Sequence, residues 1–447
     1  MKKKISVLIN NKIKKFNKVI KIPGDKSCSI RAVLFASQCI GLSKIKNLLE
    51  SEDVLDCINT LKKSLGVKII KKNNIYKVYG NGLNSFKFKK KISKIYVGNS
   101  GTFARLLSGL LSTHNGKFYL YGDKSMNKRD FTRVTKPLQK IGAFFYPKNK
   151  KTLPLTIEGT NMPLAQKHFE NKGSAQVKGL ILMSALSTPG ETIIEENKIS
   201  RNHTELFLKK IDADIKVKKI KKGNLITLKG QKNLYGFDYT VSSDPSSAAF
   251  LIALTLLIPK SKLVIHNVLC NSTRIFYLKI LKKINANIKI KNLRKVSGEI
   301  VGTIVVSSSN LKPMNISKDV GKFVDELPIL FIIAALTKGV SKFKNIGDLK
   351  HKESNRILEM KKILVQIGIK CKTTKDSMVI YGKNKIETKK KSILTKTIGD
   401  HRICMSSVIL SLVTGINSEI KNFETVNTSF PRFINLIKSL GGKIDIK

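Results

Sequence analysis

Seven short stretches of the chain hold residue types suited to chemistry on anions. The first, PGDKSCSIR at residues 23–31, sets Lys26, Ser27 and Arg31 on a turn entering a helix predicted over residues 30–38. A lysine, a hydroxyl and an arginine one turn on make a cradle for phosphate or carboxylate. The second, GNSGT at 98–102, sets small residues, Gly101 among them, between a strand and a helix, where backbone can come close to a phosphate. The third, DKSMNKRDFTR at 123–133, carries Arg129 and Arg133 at i,i+4 spacing. In the fourth, GSAQVKG at 173–179, Ser174, Ala175 and Gln176 lie where a helix begins, and the nearby SRNHTE at 200–205 adds Arg201. A helix start offers free N–H groups and a partial positive charge.

The other three stretches carry the acid–base candidates. DELP at 325–328 puts Asp325 and Glu326 ahead of an apolar run. As caps they would be structural, whereas in a cleft Asp325 could take a proton. HKESNR at 351–356 has Lys352 and Arg356 at i,i+4, which predicts one helix face with Glu353 beside both. A solvated ion-pair helix would look the same and be worth little. GDHR at 399–402 sets Arg402 before an apolar helix predicted over 403–412, where a cation opposes the helix dipole unless an anion offsets it. Taken singly, each stretch also fits an ordinary turn, cap or solvated face. Jointly they supply several cations, loops entering helices, two candidate acid–base groups and no metal-ligand spacing. That set suits a reaction between two anionic small molecules, without metal or cofactor.

The composition bears on which partners are plausible. The 447 residues carry 84 Lys and Arg against 30 Asp and Glu, a formal net charge of +54. Such a charge invites a nucleic-acid reading, but it is spread along the chain in runs no longer than Lys389–Lys391, with no basic tail and no aromatic-interleaved basic motif. Only ten of the basic residues are Arg, at positions 31, 105, 129, 133, 201, 274, 294, 356, 402 and 432. In a chain that writes Lys by default, a retained Arg points to a need for a planar fork. The six Cys are scattered without CxxC or a Cys–His cluster, which argues against a zinc site or disulfide frame and fits a reducing cytosol. Residues 1–16 alternate and read as a first strand, not a signal peptide, and the longest apolar run, 327–336, is too short to span a bilayer.

The elements that must position these residues announce themselves by repetition. A Leu/Lys helical stretch, a turn residue and a β-type alternation recur at 61–70, 138–146, 208–217, 281–290, 364–372 and 437–446. The turn residues are Gly66, Gly142, Asp212, Asn285, Gly368 and Gly441, types that tolerate the left-handed conformation ending a helix. Six copies over 447 residues predict six similar α/β subdomains in two or three domains. Between the copies lie more apolar helices, predicted over 103–111, 177–186 and 246–257, and most candidate residues sit at such helix starts.

In order and spacing, PGDKSxSxR, GNSGT, GSAQVK, SRNHTE, DPSSAAF, DELP, HKESxR, GDHR and TSFP resemble the EPSP synthase family over essentially the whole chain, in its SAQ branch. The resemblance implies a two-domain inside-out α/β barrel of six βαβαββ-type units, with residues 1–23 and 243–447 in one domain and 24–242 in the other. It implies transfer of the carboxyvinyl group of phosphoenolpyruvate to the 5-hydroxyl of shikimate 3-phosphate by a monomeric cytoplasmic enzyme. By carry-over, Lys26, Ser27, Arg31, Ser174, Ala175, Gln176, Arg201, Asp325 and Lys352 would contact shikimate 3-phosphate. Lys26, Gly101, Arg129, Gln176, Arg356 and Arg402 would contact phosphoenolpyruvate. Asp325 would be the base for the hydroxyl, and Glu353 with Lys26 would deliver a proton to the methylene carbon.

The chain departs from the family pattern at three places. Asp130 follows Arg129 where Pro is usual, Thr428 stands where a Lys often precedes Ser/Thr-Phe-Pro, and Asn355 replaces an Asp. The sister carboxyvinyltransferase acting on UDP-N-acetylglucosamine is the nearest alternative, but its Lys-Asn is Lys26-Ser27 here and residues 113–129 lack its loop Cys. A basic RNA-associated protein is the alternative of another class.

Overall fold

The predicted helix-then-strand unit recurs six times in the computed structural model, which describes residues 4–88, 90–386 and 392–447. The run Lys389–Lys391 lies outside the described residues. Six four-stranded sheets share one plan. In one of them Ile92–Tyr96 pairs in parallel with Lys117–Tyr121, which pairs antiparallel with Leu155–Glu158, which in turn pairs antiparallel with Phe144–Tyr146. One helix joins the two parallel strands and a second leads into the antiparallel pair. Helices of the first kind are α1 (Lys26–Ser37), α3 (Gly101–Leu111), α5 (Ala175–Ala185), α7 (Pro245–Leu257), α9 (Leu327–Ala335) and α11 (His401–Thr414). Those of the second kind are α2 (Glu52–Lys63), α4 (Thr132–Lys140), α6 (His203–Lys210), α8 (Phe276–Lys283), α10 (Arg356–Gln366) and α12 (Phe433–Ser439).

The chain forms two compact units. The first is Met1–Pro23, Ser243–Arg294 and Ile300–Lys447; the second is Gly24–Ser242 with Lys295–Glu299. Strand Asn17–Lys21 pairs with Lys262–Leu269 in the first unit, yet the helix that follows it in sequence, α1, belongs to the second. Strand Asp238–Thr240 pairs with Ile40–Lys46 in the second unit, and its following helix, α7, belongs to the first. At Pro23 and Ser242 the chain therefore exchanges helices between otherwise matching subdomains.

The two helix kinds differ in what they bury. All nine residues of α9 and twelve of α11 are buried, so these helices are covered on every face, and both pack against α7 within the first unit. In the second unit α3 crosses α5 at Gly109, where a Cβ would lie 2.2 Å from the Leu180 carbonyl oxygen. Each Leu or Phe so buried contributes about 1.5–3 kcal/mol. The second kind is amphipathic and ends at the six turn residues, all left-handed: φ is 69° at Gly66, 108° at Gly142, 59° at Asp212, 69° at Asn285, 77° at Gly368 and 94° at Gly441.

The buried helices begin earlier than their apolar runs predict. α1 starts at Lys26 rather than residue 30, α3 at Gly101, α5 at Ala175, α7 at Pro245 and α11 at His401. The cause is capping. Asp25, Ser100, Ser174, Asp244 and Asp400 each accept a backbone N–H of the first turn on the side chain, extending the helix ahead of its apolar face. Candidate residues expected on entry loops therefore stand in the first helical turn.

Candidate active site

In the second unit, Asp25 accepts from Cys28 N at 2.8 Å, which sets Lys26 and Ser27 at the start of α1 and Arg31 one turn on. Lys26 Nζ meets Asp53 Oδ2 in the first turn of α2 at 2.8 Å. Arg31 is buried; its Nε donates to Thr204 Oγ1 at 2.9 Å and its Nη1 to the Ser27 carbonyl at 3.1 Å, tying α1 to α6. Ser174 caps α5 by accepting from Val177 N at 3.3 Å, so Ala175 and Gln176 open that helix. Arg201 lies just before α6, next to Ser200, whose N–H donates to Glu196 Oε1 at 2.9 Å.

Gly101 opens α3. A Cβ there would lie 2.7 Å from Arg105 Nη1 and 2.9 Å from Arg129 Nη1, so glycine lets both guanidinium groups stand over the helix start. Arg105 Nη1 donates to the Gly101 carbonyl at 3.2 Å and to Gln176 Oε1, while Gln176 Nε2 donates to Thr102 Oγ1 at 3.0 Å. Arg129 Nη2 donates to Asn99 Oδ1 at 2.6 Å, and Asn99 Nδ2 to Asp123 Oδ2 at 2.6 Å. Gly101, Arg129 and Gln176 thus come together around Arg105.

In the first unit the charges are denser. Arg356 opens α10 and is fully buried. Its Nε and Nη2 meet the two oxygens of Asp400 at 2.8 and 3.2 Å, Nη2 also meets Glu353 Oε2 at 2.5 Å, and Nη1 stands 3.6 Å from Asp325 Oδ1. Burial opposes the positive charge, but Asp400, Glu353 and Asp325 outweigh it and hold the guanidinium protonated. Lys352 Nζ meets Asp325 Oδ1 at 3.1 Å. Arg402 Nη1 donates to the Asp325 carbonyl at 2.8 Å and stands 3.9 Å from Glu326 Oε1, so its cost at a helix start is offset within the protein. Asp325, Lys352, Glu353, Arg356 and Arg402 therefore form one group on the starts of α9, α10 and α11. Asp400 joins two of these helices, capping α11 through Arg402 N at 3.0 Å while holding Arg356.

Several readings are corrected. Lys352 is not on a helix face with Arg356: its backbone is extended, and α10 starts only at Arg356 behind the Asn355 cap, whose side chain accepts from Leu358 N at 3.4 Å as an Asp would. Lys352 reaches Asp325 because it precedes the helix. Arg129 and Arg133 share no helix either, since Arg129 is extended and Arg133, exposed, lies on α4. Asp130 points to Thr132, accepting from its N–H at 2.7 Å and hydroxyl at 2.6 Å. Partial burial works against ionisation there, but these bonds with Arg133 and Lys151 hold its carboxyl below the usual range. Thr428 donates its hydroxyl to the Thr425 carbonyl at 2.7 Å. Cys and His do meet despite their spacing: Cys28, His203 and Glu299 are grouped and buried. His203 Nδ1 and Glu299 Oε1 are 2.6 Å apart, a hydrogen bond and closer than the roughly 3.3 Å that zinc bond lengths set between tetrahedral ligands.

Sequence reasoning missed Asp53, Asn99, Glu170, Glu196 and Asp400 as partners of the candidate cations and caps. Asp400 had a signal, an Asp at a helix start beside Arg402; Asp53, Glu170 and Glu196 had none, because strand register and helix packing deliver them. The retained arginines did mark built positions. Arg31, Arg274 and Arg356 are buried and Arg105, Arg129, Arg201 and Arg402 half-buried, whereas Arg133, Arg294 and Arg432 are exposed.

The model of the family "EPSP synthase (3-phosphoshikimate 1-carboxyvinyltransferase)" matches residues 10–437. The 3-phosphoshikimate 1-carboxyvinyltransferase of Ruthia magnifica is 38% identical over 429 residues, covering 96% of this chain and 96% of that protein. That of Oenococcus oeni is 37% identical over 98% of this chain and 99% of its own length. A solved EPSP synthase from Acinetobacter baumannii superposes with a TM-score of 0.85 at 34% identity, covering 99% of this chain and all of that one. Matched from end to end in sequence and in fold, the chain belongs to the EPSP synthase family, enzymes of two-domain inside-out α/β architecture.

Proposed function

We propose that the protein transfers the carboxyvinyl group of phosphoenolpyruvate to the 5-hydroxyl of shikimate 3-phosphate and releases phosphate. Family membership supports the reaction, and the charge cluster of the first unit supports the division of labour. In it two carboxylates, Asp325 and Glu353, share one buried arginine with Lys352 and Arg402 alongside.

Asp325 takes the proton of the 5-hydroxyl as its oxygen bonds to C2 of phosphoenolpyruvate. Glu353, with Lys26, gives a proton to C3, which becomes a methyl group in a tetrahedral intermediate. Glu353 then takes back one C3 proton as the C2–O bond to phosphate cleaves, and the phosphate leaves with the proton held by Asp325, which restores the double bond in the product and both carboxyl groups to their starting states. The carboxylates fit this cycle because buried and half-buried cations hold them in place without being consumed. Arg129, Arg356, Arg402 and Gly101 hold phosphoenolpyruvate, with Gln176 at the junction of both substrates. Lys26, Ser27, Arg31, Ser174, Ala175, Arg201 and Lys352 hold shikimate 3-phosphate.

We further place the enzyme in the cytoplasm as a monomer acting on these small molecules. Its free cysteines, buried except for half-buried Cys371, support a reducing compartment. No helix among the described residues is long and apolar enough to cross a membrane. Phosphate release measured with each substrate alone and with both tests the reaction. Release that needs both supports it, and release with UDP-N-acetylglucosamine in place of shikimate 3-phosphate overturns it.

A further inference from the structure

Lys178 is fully buried inside α5, one turn beyond Ser174, and belongs to none of the groups above. Its Nζ meets Glu196 Oε1 at 2.9 Å and Glu205 Oε1 at 2.6 Å, both carboxylates buried. Burying three charges is costly unless their geometry serves something.

The register of the sheet indicates what. Glu170 and Glu196 end the parallel strands Lys167–Glu170 and Glu191–Glu196 and are direct partners. Each holds the loop that follows its strand. Glu170 Oε1 accepts from Lys172 N at 2.8 Å and Ser174 N at 3.2 Å. Glu196 accepts from Ser200 N at 2.9 Å, from the Ser200 hydroxyl and from Asn224 Nδ2 at 3.3 Å. These loops carry Ser174 and Arg201, at the carboxyl ends of parallel strands where α/β folds place ligands. Carboxylates at such a place repel an incoming phosphate, and Lys178 supplies the opposing charge.

We propose that Lys178 is a positioning residue for shikimate 3-phosphate. It fixes Glu196, and through it Ser200 and the neighbouring Arg201, while offsetting one of the two buried negative charges of Glu196 and Glu205. The inference rests on the reading that Arg201 and Ser174 hold that phosphate.

The test compares KM values of wild type, Arg201→Ala, Lys178→Met and Lys178→Met with Glu205→Gln, each checked for folding by thermal melting. Arg201→Ala tests the underlying reading: an unchanged KM for shikimate 3-phosphate sinks that reading and the inference with it. If Arg201→Ala raises that KM, Lys178→Met is expected to raise it by about ten- to a hundredfold, the scale of a misplacement of about 1 Å, and to leave the KM for phosphoenolpyruvate within about twofold. The double variant, with one carboxylate fewer, is expected to recover part of the loss. A folded Lys178→Met with lowered melting temperature but unchanged KM for shikimate 3-phosphate shows a purely structural lysine and overturns the inference. If Lys178→Met does not fold, Glu205→Gln alone decides. Lys178 then pairs with Glu196 only, and the KM for shikimate 3-phosphate is expected to shift by at least about twofold with that for phosphoenolpyruvate unmoved. Equal shifts, or none, overturn it.

Discussion

The candidate residues of the two units are built in different ways. In the second unit, Lys26, Ser27, Gly101, Ala175 and Gln176 stand in the first turns of buried helices; Lys26 meets Asp53, but Gln176, Arg129 and Arg31 reach the neutral groups Thr102, Asn99, Thr204 and a backbone carbonyl. In the first unit, Asp325, Lys352, Glu353, Arg356 and Arg402 meet one another directly as charges, around an arginine of which 1% of the side chain is exposed. Helix starts and neutral donors can hold an anion without changing protonation state. Carboxylates locked against cations in a buried setting can pass a proton and return to the same geometry. On the roles proposed above, the second unit chiefly holds anions, and the first adds the two acid–base carboxylates to its own anion-holding cations.

The largest effect that would break this contrast is on Asp325. Asp325→Ala and the near-isosteric Asp325→Asn are both expected to lower kcat by about a hundred- to ten-thousandfold, the worth of a general base. Melting should be nearly unchanged, because Arg356 keeps Asp400 and Glu353. If Asp325→Asn stays active while Asp325→Ala does not, Asp325 anchors Lys352 rather than taking a proton.

A smaller effect is expected at Gly101 in the second unit. Gly101→Ala places its methyl 2.7 and 2.9 Å from the Arg105 and Arg129 nitrogens, which are side-chain ends that can swing aside, so the protein should fold. The displaced forks are expected to raise the KM for phosphoenolpyruvate by roughly ten- to a hundredfold. A rise confined to shikimate 3-phosphate would move Gly101 and Arg129 to the other substrate.

The smallest effect concerns stability and again separates the units. Burial lowers His114 to about 4, against the pull of its bond to the Leu110 carbonyl; burial and nearby Lys140 lower His168 to about 4. Both lie in the second unit. Because their folded pKa values lie below the unfolded value of about 6.5, the unfolded chain binds more protons as pH drops through that value. Stability is expected to fall between pH about 6.5 and about 4, by up to about 3 kcal/mol per histidine, and to level off below as far as these groups are concerned. Thermal melting across that range checks it, and His114→Gln should flatten the slope. An unchanged slope in that variant would remove His114 as a cause.

Much of the scaffold was legible because its signals are local. A left-handed turn residue after a Leu/Lys helix needs only a few neighbours, and all six proved left-handed in the structure. Helix starts were less legible, because the expectation followed the apolar run whereas Asp25, Ser100 and Asp400 set the first turn earlier. At HKESNR, i,i+4 spacing suggested a helix face where Asn355 caps one instead, so Lys352 reaches Asp325 from outside α10. Partners such as Asp53 for Lys26 and Glu170 beside Glu196 were not legible at all, since parallel register and helix packing bring them together from 26 or more positions away.

The central claim is that this chain joins phosphoenolpyruvate to shikimate 3-phosphate, and a phosphate-release assay with product identification by mass spectrometry tests it most directly. Phosphate appearing in step with a carboxyvinyl adduct of shikimate 3-phosphate, only when both substrates are present, is the expected result. Folded protein that releases none, or that forms the adduct on UDP-N-acetylglucosamine instead, would contradict it.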